Sequence, residues 1–370
     1  MTTSHSPSPT VAVQVQHVGT TAVGQFLNTV WPSMFGLTDQ ATPYQHAGWL
    51  TAWMQQLRPG QEPYILTVRD AAGLRAALAL VRTRLPGGGV QVAPLSSPAA
   101  ESVRLTGPGA EDPAVTGAVG SYFQRLASDG TRVLLPDVPA DSALGRELML
   151  LWRPAAVTEY ATVAVPWTPD GLSRSTRREH RRRLSTWTRL ADHGHQPSFR
   201  RSDDLGQTLD DYHGLARLRG LRSMDRPAGD PRLVSRPGPA WTDVITRCPD
   251  TVWIASLAIG RQVVAAQLCL RHGRSAHSVL TAIHPDYRAL ATGHILLQLL
   301  LSSLAADGYE QLVLGRTIPS QRSYKQSYSP LWTQMLTFDS STPAPPLQGD
   351  VPDLLLSSGL REASLRAVQG

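Results

Sequence analysis

Ser275-Ala276-His277-Ser278-Val279-Leu280-Thr281-Ala282-Ile283 runs straight into His284-Pro285-Asp286-Tyr287-Arg288-Ala289-Leu290-Ala291-Thr292-Gly293-His294, and from there into the apolar stretch 295–306. The first nine residues read as a half-buried strand, the last stretch as a helix, and the middle as the turn between them. Two more strand-like runs precede them, 251–259 and 262–270, with turns at Gly260-Arg261 and His272-Gly273-Arg274. A strand at 311–314 and another at 331–338 follow. The spacing therefore predicts a three-strand meander, a helix over 292–306, a strand, a short helix around Lys325 and a closing strand.

Upstream, 174–190 and 205–218 have helical spacing, and the proline-rich stretch 226–239 reads as a loop. The first half has a similar order. Trp49, Leu50, Trp53 and Leu57 mark a helix over 44–57 that stops at Pro59-Gly60. A hairpin follows, 64–68 and 76–85, turned at Asp70-Ala71-Ala72-Gly73, then a strand at 90–93, a helix at 118–128 and a strand at 133–135. The seam lies at 164–169. The chain is thus expected to divide into a disordered start (1–20), an N-terminal domain (21–165), a C-terminal domain carrying the site (166–340) and a tail (341–370).

The 370 residues are 41% hydrophobic and 17% charged, enough apolar material for two cores and too few charges for a disordered chain. The net charge of +6 invites an anionic partner such as a nucleotide cofactor, RNA or anionic lipid. Cys248 and Cys269 form no paired motif and read as reduced core residues, which fits a cytoplasmic protein. The first ten residues have no apolar core of a signal peptide. The stretch 295–306 is too short, and too interrupted by Gln298, Ser302 and Ser303, to cross a bilayer. No set of His, Cys or carboxylate residues has metal-ligand spacing; His193 and His195 read as a surface turn.

Of 35 basic residues, 34 are arginine and one, Lys325, is lysine. In a chain that uses arginine wherever either cation serves, the surviving lysine marks a place for a compact ammonium. At the other candidate site, Arg288, Ala291, Thr292, Gly293 and His294 stand where a strand meets a helix N-terminus. Unpaired amides and the helix dipole there favour an anion, and Gly293 would let the backbone approach a phosphate closely. The stretch 174–190 places Arg174, Arg178 and Arg181 on one face, which suits either RNA or CoA phosphates or plain solvation. The third meander strand carries no carboxylate, so His284 or Asp286 at its end is the candidate base.

The order meander, Arg288-x-x-x-x-Gly293, helix, strand resembles the GNAT acyltransferase core, with Ala291 where the first glycine of the pyrophosphate loop is expected. Gly315-Arg316-Thr317 followed by Tyr324-Lys325 resembles the G-R-S and aromatic-Lys pattern of double-GNAT Fem-like and CelD-type proteins. Thr42-Pro43-Tyr44-Gln45 with Trp49-Leu50, residues 76–80, 177–184, and Tyr212-His213 with Arg217 are similar to further motifs of that family. The resemblance implies an α/β fold with a mixed sheet, made of two tandem GNAT-like domains facing a central cleft. It implies an N-acyltransferase moving an acyl, in the first instance acetyl, group from acyl-CoA to an amine of a small molecule, amino sugar or peptide. Aminoacyl-tRNA as donor and a non-catalytic binding role for the same fold are the alternatives. On this resemblance Lys325, Tyr324 and His284 are the catalytic candidates, and Arg288, Ala291, Thr292, Gly293, His294 and Arg316 would bind acetyl-CoA, with no metal.

Overall fold

The computed structural model describes residues 11–97, 99–202, 204–224 and 239–342. The floppy start expected at 1–10, the loop expected at 226–239 (but for its last residue) and the tail beyond 342 lie outside the described residues. In the first half the elements are β1 (Ala12–Val18), α1 (Thr20–Thr29), α2 (Trp31–Gly36), α3 (Ala47–Met54), β2 (Gln61–Asp70), β3 (Gly73–Arg84) and β4 (Val90–Pro94). Then come α4 (Pro113–Ser128), β5 (Arg132–Pro139), α5 (Ala143–Leu151) and β6 (Ala156–Ala164). The second half holds α6 (Arg174–Arg189), β7 (Pro197–Arg201), α7 (Leu205–Met224), α8 (Pro239–Arg247), β8 (Val252–Ile259) and β9 (Gln262–His272). It closes with β10 (Ser275–Ile283), α9 (Thr292–Ala306), β11 (Gln311–Arg316), α10 (Pro319–Gln326) and β12 (Leu331–Asp339).

Two boundaries depart from the sequence expectation for local reasons. Residues 12–18, expected to belong to a disordered start, form β1, paired antiparallel with β2 from Ala12↔Arg69 onward. Val11 and Val13, two residues apart and so on one face, pack this edge strand on the core. Helix α4 begins at Pro113, not near 118, because Asp112 caps it: its carboxylate accepts from the Ala114 amide at 2.9 Å, and Pro113 stands where no amide donor is needed.

All the strands join one mixed sheet in the order β1-β2-β3-β4-β5-β12-β6-β11-β10-β9-β8-β7. The two halves repeat one plan. In each, an antiparallel meander (β2-β3-β4, β8-β9-β10) leads through a helix to a strand parallel to the meander's last strand. A further helix and a closing strand follow. The closing strands are exchanged: β12 pairs with β5, and β6 with β11, while β6 and β12 pair with each other at the centre. Each half's sheet is therefore finished by the other half.

The halves also share a core. Trp49 of α3 packs edge-on against Trp241 of α8, ring centroids 5.5 Å apart. Gly48 leaves no room for a side chain there: a Cβ would lie 2.5 Å from Cys248 Sγ and 2.7 Å from the Arg247 carbonyl. Any larger residue would force α3 away from α8.

One irregularity positions the site. Strands β10 and β11 pair only at Ser275↔Gln311, Ala276↔Leu312 and His277↔Val313. Beyond this point they part. Strand β10 continues with β9 to Ile283↔Ala265, and β11 continues with β6 to Arg316↔Tyr160. Both strands carry a register shift next to the fork, between Ser278 and Leu280 and between Val313 and Gly315.

Candidate functional site

Where β11 leaves β10, its backbone carbonyls lose the neighbour a parallel sheet would supply, and buried carbonyls need donors. Lys325 supplies them. It projects from α10, is only 5% exposed, and its Nζ donates to the carbonyls of Leu314, Gly315 and Arg316 at 2.8, 2.7 and 2.8 Å. An ammonium has three protons in a tripod, and all three are used. The lone lysine thus holds the irregular end of β11. Burial pulls its pKa down to about 8, and the nearby Glu101 carboxylate opposes that shift.

Glu101 comes from the first half and rests on the glycine of the bulge. Gly315 has φ +66°, and a Cβ on it would lie 2.3 Å from Glu101 Oε2. The same oxygen accepts from the Tyr44 hydroxyl at 3.4 Å. The Tyr44 ring packs edge-on against His277 of β10, centroids 5.6 Å apart. Tyr44 and Glu101 therefore bridge the fork, one on β10 at its last paired residue and the other on β11 just beyond. Burial pushes the Glu101 carboxyl up to about 7; Lys325 and Arg316 pull it down, Asp137 pushes it up. His277, buried, is held neutral with its pKa drawn down to about 3. Arg316 makes an ion pair with the buried Asp137 of β5, tying β11 to the first half. Its guanidinium is therefore engaged here and not at the turn that contains Arg288.

That turn is a short 3-10 helix, Pro285–Leu290, followed by Ala291 in the left-handed region (φ 55°) and then α9, which has no side-chain cap. Arg288 is exposed. Thr292 is fully buried, and its Oγ1 has no hydrogen-bond partner among the described residues. Gly293 has a packing reason besides the phosphate approach read from sequence: a Cβ there would sit 2.6 Å from Ile283 Cδ1, so glycine lets α9 close onto β10. Gly293→Ala is expected to cost about 1–3 kcal/mol by overpacking, measurable as a lower urea midpoint.

His294 is engaged in a cluster with Tyr324 and Tyr328. Its Nδ1 lies 3.1 Å from the Tyr328 hydroxyl, which in turn donates to the His294 carbonyl, so the ring proton sits on Nδ1. The Tyr324 ring covers it at 4.5 Å, and its pKa falls to about 3 through burial, with Arg183 and His180 adding to the fall. His180 of α6 completes this cluster. It donates from Nε2 to the Ser327 carbonyl and accepts from Gln298 at Nδ1, both at 2.8 Å. The cluster docks α6 against α9 and the end of α10.

The three catalytic candidates do not converge. Tyr324 and Lys325 are neighbours on α10 but point apart, Tyr324 donating to the Gly293 carbonyl at 3.3 Å. His284 accepts from the Asp286 amide at 3.3 Å as a cap. It lies seven residues beyond His277, roughly 20 Å along β10. On α6, Arg182 and Arg183 pair with Glu179, whereas Arg174, Arg177, Arg178 and Arg181 make no ion pair among the described residues.

Residues 174–326 match the family described as Acetyltransferase (GNAT) domain. That stretch, less than half of the chain, is similar to a GNAT acetyltransferase domain. No curated protein matches it by sequence. Among solved structures it is similar to FemX (10% identity, 87% of this chain and 96% of that one, TM-score 0.55). It is also similar to L-PGS from Bacillus licheniformis (13%, 86% and 93%, 0.52). A third is the C-terminal domain of a lysylphosphatidylglycerol synthetase candidate from Agrobacterium fabrum (12%, 95% and 95%, 0.54). At these identities the likeness is one of fold. The matched stretch contains the β10–β11 fork, α9 and Lys325, while Glu101 and Tyr44 reach it from outside. Among the described residues no group of His, Cys, Asp or Glu is placed to hold a metal ion, and no helix is long and apolar enough to cross a membrane.

Sequence reading passed over Glu101 and Asp137. Glu101 stands alone in a stretch without periodicity, and only the fold brings it to Gly315. Tyr44 was visible as part of Thr42-Pro43-Tyr44-Gln45, but with no role attached.

Proposed function

We propose that the chain transfers an acyl group from acyl-CoA, in the first instance acetyl-CoA, to an amine at the β10–β11 fork. The observation that carries this reading is the fork itself. Among the described residues no strand pairs with 278–283 of β10 on the side where β11 departs, so a thioester arm laid along them gains amide donors that also fit a developing oxyanion. The uncapped start of α9 and Arg288 lie at the outer end of β10, where a pyrophosphate would come to rest. An amine acceptor would enter from the side of Tyr44 and Glu101.

A second reading is favoured by α6. Its unpaired arginines stand on a helix docked through His180 beside α9 and α10, which suits the phosphates of an aminoacyl-tRNA donor. Thermal unfolding separates the two. Acetyl-CoA at a hundredfold excess over its Kd should stabilise the chain by about 2.7 kcal/mol, seen as a raised Tm, and uncharged tRNA should not. A Tm unmoved by every CoA ester tried would remove the first reading; a rise with tRNA alone would establish the second.

A further inference from the structure

The fork has no carboxylate on β10 or β11, and the first half places one there. Glu101 is held against the Cα of Gly315, which tolerates no Cβ in its path, and Tyr44 ties it back to His277 on the facing strand. Its neighbour Lys325 does not neutralise it by direct pairing: all three ammonium protons go to carbonyls. Oε1 of Glu101 accepts no hydrogen bond from any described residue. A cavity of about 30 Å³, lined in part by Tyr44, Gln45, Ala100 and Ser102 but not by Glu101, lies beside Tyr44 and is large enough for one water.

We infer that Glu101 is the proton acceptor of the transfer, and that acceptor substrates reach it as alkylammonium ions. This rests on the acyl-CoA reading above. The carboxylate attracts the cation and takes one of its protons, which passes to solvent. The freed lone pair forms the C–N bond to the thioester carbonyl carbon. The C–S bond breaks, and sulfur leaves as the thiol of CoA with the second nitrogen proton; the third stays on the amide. In a surface rich in arginine, one carboxylate at the fork selects for cationic amines and against anionic ones. Burial supports the role, because a carboxyl titrating near 7 is matched to proton transfer at neutral pH.

The test uses the full chain and two acceptors of similar shape, benzylamine (an ammonium at neutral pH) and aniline (neutral), with acetyl-CoA as donor. Calorimetry with acetyl-CoA alone comes first. Glu101→Gln should bind acetyl-CoA within about twofold of wild type. It should lose about 10²–10⁴-fold in kcat/KM for benzylamine, and less than tenfold for aniline. The acid limb of the benzylamine pH profile should disappear, and Glu101→Asp should restore part of the rate. Equal losses on both amines mean a structural role and overturn the inference, as does wild-type turnover in Glu101→Gln. Bound acetyl-CoA with no turnover of either amine by wild type also overturns it. If acetyl-CoA does not bind wild type, the donor reading fails, and this inference falls with it.

Discussion

Lys325→Met should lower the unfolding free energy by roughly 3–5 kcal/mol, read from urea denaturation, and abolish acyl transfer through loss of the fork. Methionine fills much of the same space but offers no proton. The carbonyls of Leu314, Gly315 and Arg316 would then be buried without donors, and each such group costs about 1–3 kcal/mol. The three losses share one site and are not additive. Lys325→Arg is the sharper comparison. A guanidinium directs its protons outward in one plane, so it cannot converge on three carbonyls around one nitrogen, and it needs more room than a site 5% exposed provides. Arginine should therefore recover about half of the lost stability or less. A fully stable Lys325→Arg chain would show that the tripod is incidental.

This gives the sequence's compositional oddity a cause different from the one first attached to it. The position of the single lysine was legible, since a genome that writes arginine by habit keeps lysine where planarity fails. The role was not, because a residue's hydrogen-bond partners are set by strands that the sequence does not show to be parting. Local periodicity served well where structure is local: the helix over 292–306 and the strand ending at Ile283 are found where they were expected. It could not foresee the exchange of β6 and β12. Apolar alternation says that residues 331–338 form a strand but not that their partners are 132–139 and 156–164. Helix α8 and strand β7 escaped for the opposite reason: they are short pieces, α8 beside the proline-rich stretch, with too few residues to set a period. Gly293 was marked as a glycine that lets a phosphate approach, and the fold adds Ile283 as a neighbour that crowds the same position. Glu101 shows the limit most plainly, since a solitary carboxylate acquires meaning only from what surrounds it.

Removing the Glu101 charge should stabilise the protein at alkaline pH. Its carboxyl titrates near 7 in the folded chain against an ordinary value of 4.5, with burial as the main cause. Between those two pH values the folded state binds more protons than the unfolded one, so stability falls as pH rises. The contribution is fully present below about pH 4.5 and gone once pH passes 7. Glutamine reproduces the shape of the protonated acid and carries no charge at any pH. Glu101→Gln should therefore match wild type near pH 4.5 and exceed it by about 2–3 kcal/mol at pH 8, the pull of Lys325 being already included in the net shift. Urea unfolding of both proteins at the two pH values measures it. A difference of the opposite sign at pH 8 would mean that Lys325 stabilises the carboxylate more than burial penalises it, and would remove the elevated pKa that suits Glu101 to accept a proton at neutral pH. A chain that keeps a destabilising charge at the fork between its two halves accepts a cost in stability, and the acyl-transfer chemistry proposed for that place is what such a charge would serve.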